Sequence, residues 1–482
     1  MAGYAKYLIN ANLIGGEWLS PAADQSILVT NPATGEELGR VPAFGAAETT
    51  AAINAAVEAF PGYSSLDLAK RVKLLRDLHD ALLDNQEPLA ALLTAEQGKP
   101  LAESRGEIAI GAAYILWFAE EVRRTKGEVV PSPVNGRQLL VTHHPVGVVA
   151  AITPWNFPSS MLARKLGPAL AAGCTTVVKP ASLTPYSALA WGKLAEEVGY
   201  PAGVINIVTG SARQIGSTIM TDPRVRKVTF TGSTEVGKEL IRQSADTVKK
   251  VSMELGGNAP FIVFDDADLD KAVQGAMIAK YRNSGQTCVC ANRFYVQSGI
   301  HDAFVKRLTE ATKALTVGAG ADAGVEQGPL VDQSAFDKVK ELVDDAVSNG
   351  ATVETGGKGH ALGGTWFEPT VLTGIKTGMS IAREEIFGPV SAIFRFDTEE
   401  EVVAAANDTD FGLAAYVYTR DLGRTFRMSE KLQYGLIGVN EGLITTVEAP
   451  FGGLKSSGLG KEGGSQGILD YFDIKYTCVG GI

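Results

Sequence analysis

The 482-residue chain is predicted to be an α/β protein built from two doubly wound parallel-sheet domains. Its length is the first reason, because one simple core does not cover so many residues. Secondly, from Val146 onward short apolar runs alternate with helical stretches, the pattern of parallel strands covered on both faces. Thirdly, a similar series starts again after Asp265. Ligands of such sheets bind beyond the carboxyl ends of the strands. The loops that begin TPWN, KPAS and TGST fall there.

Before Ala46, short apolar groups are broken by Gly15-Gly16, Asn31-Pro32 and Thr34-Gly35, which reads as a hairpin-rich lead-in. Ala46–Phe60, Leu66–Leu93 and Glu103–Arg124 carry apolar residues at helical spacing and read as packing helices without chemistry. The alternation then gives strand Val146–Ile152, helix Ser159–Ala172, strand Thr175–Lys179, helix Ser187–Val198 and strand Val204–Val208. A helix through Ile215–Met220, strand Lys227–Phe230, helix Thr234–Ser244 and strand Val251–Leu255 complete the first series. In the second, helix Asp268–Lys280 leads to a cysteine loop, with strands at Phe294–Gln297, Val390–Phe396, Leu413–Thr419 and Leu436–Asn440. The chain closes on an alternating DYFDIKYTCV, a strand expected to pair with another subunit.

Composition narrows the classes of function. Hydrophobic content of 45% and charged content of 20% suit a soluble globular protein. A net charge of −10 without basic runs argues against nucleic acid. Four cysteines are too few for a disulfide scaffold, and there is neither a signal-peptide pattern nor a membrane-length apolar run. A cytoplasmic protein without membrane partners is expected.

The candidate chemistry centres on Tyr281–Cys290, YRNSGQTCVC. A thiol there can be a nucleophile, a redox partner of its neighbour, half of a metal site, or a small buried hydrophobe. The metal option lacks a second cysteine pair, and the histidines show no ligand spacing. FTGSTEVGK (Phe230–Lys238) is a strand-to-helix turn able to hold phosphate, although Thr234 stands where the dinucleotide fingerprint has its middle glycine. Lys179 ends a buried strand; a solvated surface lysine is the alternative. Asn156, between Trp155 and Phe157, is either a turn residue or an amide aimed at an oxyanion. Glu254 ends a buried strand before Gly256-Gly257, where burial would raise its pKa toward that of a general base.

Together TPWNFP, KPAS, FTGST, MELGGNAP, GQTC, EEIFGPV, FGLAAYVYT and PFGGLKSSGLGKEGG resemble the aldehyde dehydrogenase superfamily in order and spacing over nearly the whole chain. Tyr281–Cys290 and GVNEGLITTVEAPFGG are most similar to its succinate-semialdehyde dehydrogenases. The resemblance implies oxidation of an aldehyde by NAD(P) through a cysteine thiohemiacetal and thioester. Cys288 would be the nucleophile, Asn156 an oxyanion donor and Glu254 the base for hydrolysis. Thr153, Pro154, Trp155, Asn156, Lys179, Ala181, Ser182, Gly216, Phe230, Gly232, Ser233, Val236, Leu255, Glu385 and Phe387 would bind the cofactor. Ser182 stands where many NAD-preferring relatives carry glutamate, so NADP is expected to be favoured over NAD. Arg164 and Arg282, with Thr445 and Thr446, would hold the carboxylate of succinate semialdehyde. Glutarate semialdehyde and other small aldehydes are the alternatives. Cys290 is expected as a redox partner of Cys288, and a thiol sensor or a non-catalytic relative are the competing classes. The implied layout is a cofactor domain over 1–120 and 145–255, a catalytic domain over 256–455, and a β arm over 121–144 and 456–482 that forms dimers or tetramers.

Overall fold

The computed structural model describes residues 3–21 and 25–481. Its larger sheet has eight strands in the order Gly458–Leu459, Lys250–Glu254, Val225–Thr231, Val148–Ile152, Thr175–Lys179, Ile205–Ile207, Asn12–Ile14 and Glu17–Leu19. The five strands between Lys250–Glu254 and Ile205–Ile207 in that order run parallel, and antiparallel strands close both edges. The register aligns Ile152 with Lys179 and Phe230, and Thr231 with Glu254, so the loops after these strands leave the sheet together.

The second sheet has seven strands in the order Thr352–Thr355, Thr370–Thr373, Val390–Phe396, Ala291–Gln297, Ala259–Val263, Ala414–Tyr418 and Leu436–Val439. Only Thr352–Thr355 is antiparallel. Thr352–Thr355, Thr370–Thr373 and the interior strand Ala259–Val263 have no counterpart in the sequence reading; the last is the one that joins the sheets. It follows Lys250–Glu254 after only the Leu255–Asn258 linker, with no helix between, because the chain passes directly from one sheet to the other.

Three departures from expectation bear on the layout. The Leu66–Leu93 stretch is two helices, Leu68–Asp84 and Gln86–Gln97; between them Asn85 leaves helical geometry (φ −109°, ψ 18°), its amide bonded to the Ala81 carbonyl. The tail from 456 does not go straight to the arm: Gly458–Leu459 pairs with Met253 and Glu254 at the edge of the large sheet. The last strand, Phe472–Gly480, pairs within the chain, antiparallel to Arg137–Pro145, and Glu128–Val130 completes a three-stranded sheet.

Two helices position the site. Every residue of Ser160–Ala172 is buried. Leu101–Glu121 packs along it, burying one face that includes Ile108, Ala112, Ile115 and Phe118. No helix among the described residues is long and apolar enough to cross a membrane.

Candidate active site

The cysteine loop is held in a conformation that few residues adopt. Asn283 (φ 51°), Ser284 (φ 55°) and Gly285 (φ 75°) are left-handed in succession. Such geometry costs of order 1–3 kcal/mol at each non-glycine residue, so neighbours must enforce it. They do. The Asn283 N–H donates to Glu103 Oε2 at 2.8 Å, and its Nδ2 to the Asn156 and Gln286 carbonyls at 3.0 and 3.2 Å. Ser284 Oγ donates to the Gly328 carbonyl, and Gln286 Oε1 accepts the Val331 N–H. At Gly285 a Cβ would lie 2.1 Å from the Gly388 carbonyl oxygen, so no other residue fits.

This loop delivers Cys288 to the wall shared by two cavities, of about 490 and 250 Å³. Cys290 is turned away, buried, its thiol donating to the Lys280 carbonyl at 3.4 Å. It lines neither cavity, and both cysteines are free. Burial pushes the Cys288 thiol up to about 12; Arg164 pulls it down, while Glu385 and Glu254 push it further up. The resting site therefore holds a thiol.

The larger cavity lies over the carboxyl ends of the first sheet. Pro154, Trp155, Asn156, Gly232, Ser233, Leu255, Glu385 and Phe387 line it. Asn156 Nδ2 donates to the Gln286 carbonyl at 3.0 Å, which leaves its second N–H for the cavity. Ser233 caps helix Thr234–Ser244, its Oγ accepting the Val236 N–H. A Cβ at Gly232 would meet the Phe230 ring at 2.3 Å. Trp155 and Phe387 pack edge to face, 5.5 Å apart. Glu385 accepts the Gly257 N–H, and burial lifts its carboxyl to about 7.

Seven of the expected cofactor residues do not form this wall. Thr153 and Phe230 are buried, and Ala181, Ser182, Gly216 and Val236 are partly or well exposed. Lys179 is buried at its strand end without an ion pair among the described residues, and burial lowers it to about 8. Glu254 is also off both walls. Its carboxyl faces Gly452, with Oε2 unpartnered, and is pushed well up by burial and then by Glu462.

The smaller cavity lies on the other side of Cys288. Arg164, 3% exposed, sits between the rings of Tyr114 and Phe451 (5.0 and 4.1 Å), and its Nε and Nη1 have no partner. Arg282 lies 5.6 Å from the Phe157 ring centre. Neither arginine forms an ion pair among the described residues. Thr445 lines this cavity; Thr446 does not, being exposed with its hydroxyl on Glu448. Two charged lining residues escaped sequence reasoning altogether, Glu103 and Glu107, which lie one helical turn apart on Leu101–Glu121. The signal available was that pair, four residues apart beside Lys99.

Comparison with known proteins gives a consistent result. The aldehyde dehydrogenase family model matches residues 18–477. A glutarate-semialdehyde dehydrogenase of Pseudomonas aeruginosa is 55% identical over 478 residues, 99% of each chain. An NADP(+) succinate-semialdehyde dehydrogenase of Escherichia coli is 54% identical over 468 residues, 97% of each. A solved succinate-semialdehyde dehydrogenase from Burkholderia pseudomallei is 54% identical and superposes with a TM-score of 0.98 over 100% of both chains. With a thiol on the wall shared by two cavities and a family match across nearly its full length, the chain belongs to the aldehyde dehydrogenase family.

Proposed function

We propose that this aldehyde dehydrogenase oxidises an aldehyde bearing an ω-carboxylate, succinate semialdehyde ahead of the longer glutarate analogue, with NADP preferred over NAD. One observation carries the reading. Beside the thiol stand two arginines without carboxylate partners, one of them buried with free N–H groups, a costly arrangement unless an anion completes it.

The larger cavity fits a dinucleotide. A helix start capped by Ser233 suits phosphate, Gly232 allows close backbone approach, and Lys179 lacks a protein counter-charge. At Ser182 no carboxylate repels a 2′-phosphate, which favours NADP. When bound, the nicotinamide supplies the two-electron acceptor for the aldehyde carbon.

In this reading the Cys288 thiol gives its proton through water to Glu254, which releases it to solvent, and the Sγ thiolate attacks the aldehyde carbon. The spare N–H of Asn156 and the backbone N–H of Cys288 hold the resulting oxyanion. Oxidation leaves a thioester on Cys288. Glu254 turns from Gly452 toward the thioester and takes a proton from the water that hydrolyses it. Arg164 and Arg282 grip the far carboxylate, and Thr445 contributes a hydroxyl.

The test compares kcat/KM for succinate semialdehyde and butanal, in wild type and Arg282→Ala, each with NADP and NAD. A charge-assisted hydrogen bond contributes roughly 1.5–3 kcal/mol. Arg282→Ala should therefore lose on the order of ten- to a hundredfold on the acid, and far less on butanal. Equal losses on both aldehydes, or no preference for the acid in wild type, would defeat the arginine clamp. A tenfold advantage of NAD over NADP would defeat the cofactor reading.

A further inference from the structure

We infer that Glu103 is a specificity-determining and positioning residue of the substrate cavity, a built-in carboxylate that sets how strongly the two arginines hold an anion. The inference rests on the arginine clamp proposed above and concerns what balances it. The sequence gives the Leu101–Glu121 helix the look of a packing element, yet it turns two carboxylates, Glu103 and Glu107, toward the smaller cavity.

Their situations differ. The charge of Glu107 is spent: Oε2 takes Lys99 Nζ at 2.6 Å, and Oε1 takes the Ser159 and Ser160 N–H groups at 2.9 and 3.1 Å. Glu103 makes no ion pair among the described residues. Among the described residues its carboxyl accepts one hydrogen bond, at 2.8 Å from the N–H of Asn283, the residue next to Arg282. Burial pushes its carboxyl up, while Lys99, Arg282 and the Asn283 N–H favour its charged form.

Two guanidinium groups and one carboxyl without an ion pair therefore face the cavity; with that carboxyl ionised, as Lys99, Arg282 and the Asn283 N–H favour, the balance is one positive charge. That matches a substrate carrying a single carboxylate. The product of its oxidation carries two, and a cavity of greater positive charge would retain it. Glu103 thus competes with the bound anion for Arg282 and eases product departure. Through the Asn283 N–H, the same carboxyl steadies the left-handed turn that presents Cys288.

Two substitutions separate charge from anchoring. Glu103→Gln keeps an acceptor for the Asn283 N–H and removes the charge. Glu103→Asp keeps the charge but shortens the reach. The quantity read is the ratio of kcat/KM for succinate semialdehyde to that for butanal, together with inhibition by succinate. In Glu103→Gln the ratio should rise about tenfold, and succinate should inhibit about tenfold more strongly, as expected for removing one charge near a partly buried anion site. In Glu103→Asp the ratio should stay within about twofold of wild type, while kcat falls on both aldehydes because the loop loses its anchor. An unchanged ratio in Glu103→Gln, or an equal rise in Glu103→Asp, overturns the role of Glu103 even where wild type prefers the acid. A wild type without that preference removes the clamp itself, and this inference with it.

Discussion

In the ligand-free protein burial raises the Cys288 thiol to about 12 and so favours the protonated form, with Glu385 and Glu254 adding to the effect against the pull of Arg164. A nucleophile in that state must lose its proton during the encounter, so a neighbouring base matters as much as the sulfur. The sign is clear for the ligand-free enzyme. Raising a thiol's pKa makes thiolate scarce at neutral pH, and the fraction grows with every pH unit up to that pKa. Alkylation by iodoacetamide should accelerate about tenfold per unit between pH 7 and 9 without levelling, whereas an ordinary thiol near ~8.5 would already bend over. Read in a Cys478→Ser background, which removes the one exposed cysteine, the label should map to Cys288, vanish on Cys288→Ala and persist on Cys290→Ala, since the Cys290 thiol is buried against the Lys280 carbonyl. A plateau below pH 8 would mean that an activating group has been missed.

At the scale of elements, the Leu101–Glu121 helix organises the start of Ser160–Ala172 through one buried carboxylate. Glu107 accepts two N–H groups at that helix start and pairs with Lys99, whose Nζ also donates to the Asn156 carbonyl at 2.6 Å. Breaking such a pair leaves a buried, uncompensated ammonium, so Glu107→Ala should cost about 3–5 kcal/mol, read from the denaturation midpoint. Replacing both members, Lys99→Met with Glu107→Leu, should restore only part of this, because the Ser159 and Ser160 N–H groups stay unpaired. A loss under 1 kcal/mol in Glu107→Ala would show the pair to be dispensable. These contacts also mark where sequence reading stopped. Thr175–Lys179, Thr234–Ser244 and Val390–Phe396 were legible to the residue, since apolar runs bounded by Lys-Pro, Gly-Ser and Gly-Pro chemistry have one local solution. Ala259–Val263 was not, because its identity as a central strand depends on partners Ala291–Gln297 and Ala414–Tyr418, distant in sequence. The loop carrying Cys288 was conspicuous from its glycine and amide residues. Glu103 and Glu107 looked like the solvated side of an amphipathic helix, and only tertiary packing turns that side toward a cavity.

Across the whole molecule, the arm leaves apolar surface uncovered. Strand Phe472–Gly480 has Arg137–Pro145 on one side and no strand on its outer edge among the described residues. Ile474 and Tyr476, on one face of it, are 71% and 60% exposed, and Val129 in the same sheet is 67% exposed. A long edge with exposed apolar side chains invites another chain to cover it. We therefore expect a homodimer or homotetramer in which this sheet lies against a second copy. Stable interfaces of that kind bury roughly 1,200–2,000 Å² or more, so a few apolar anchors can decide them. Sedimentation of wild type at micromolar concentration should give at least twice the chain mass, and Ile474→Lys with Tyr476→Lys should shift it toward the monomer. Circular dichroism would confirm that the double variant stays folded, since both side chains point to solvent within a single chain. A wild type that sediments as a monomer, or a folded double variant that assembles as well as wild type, would leave the arm without this role.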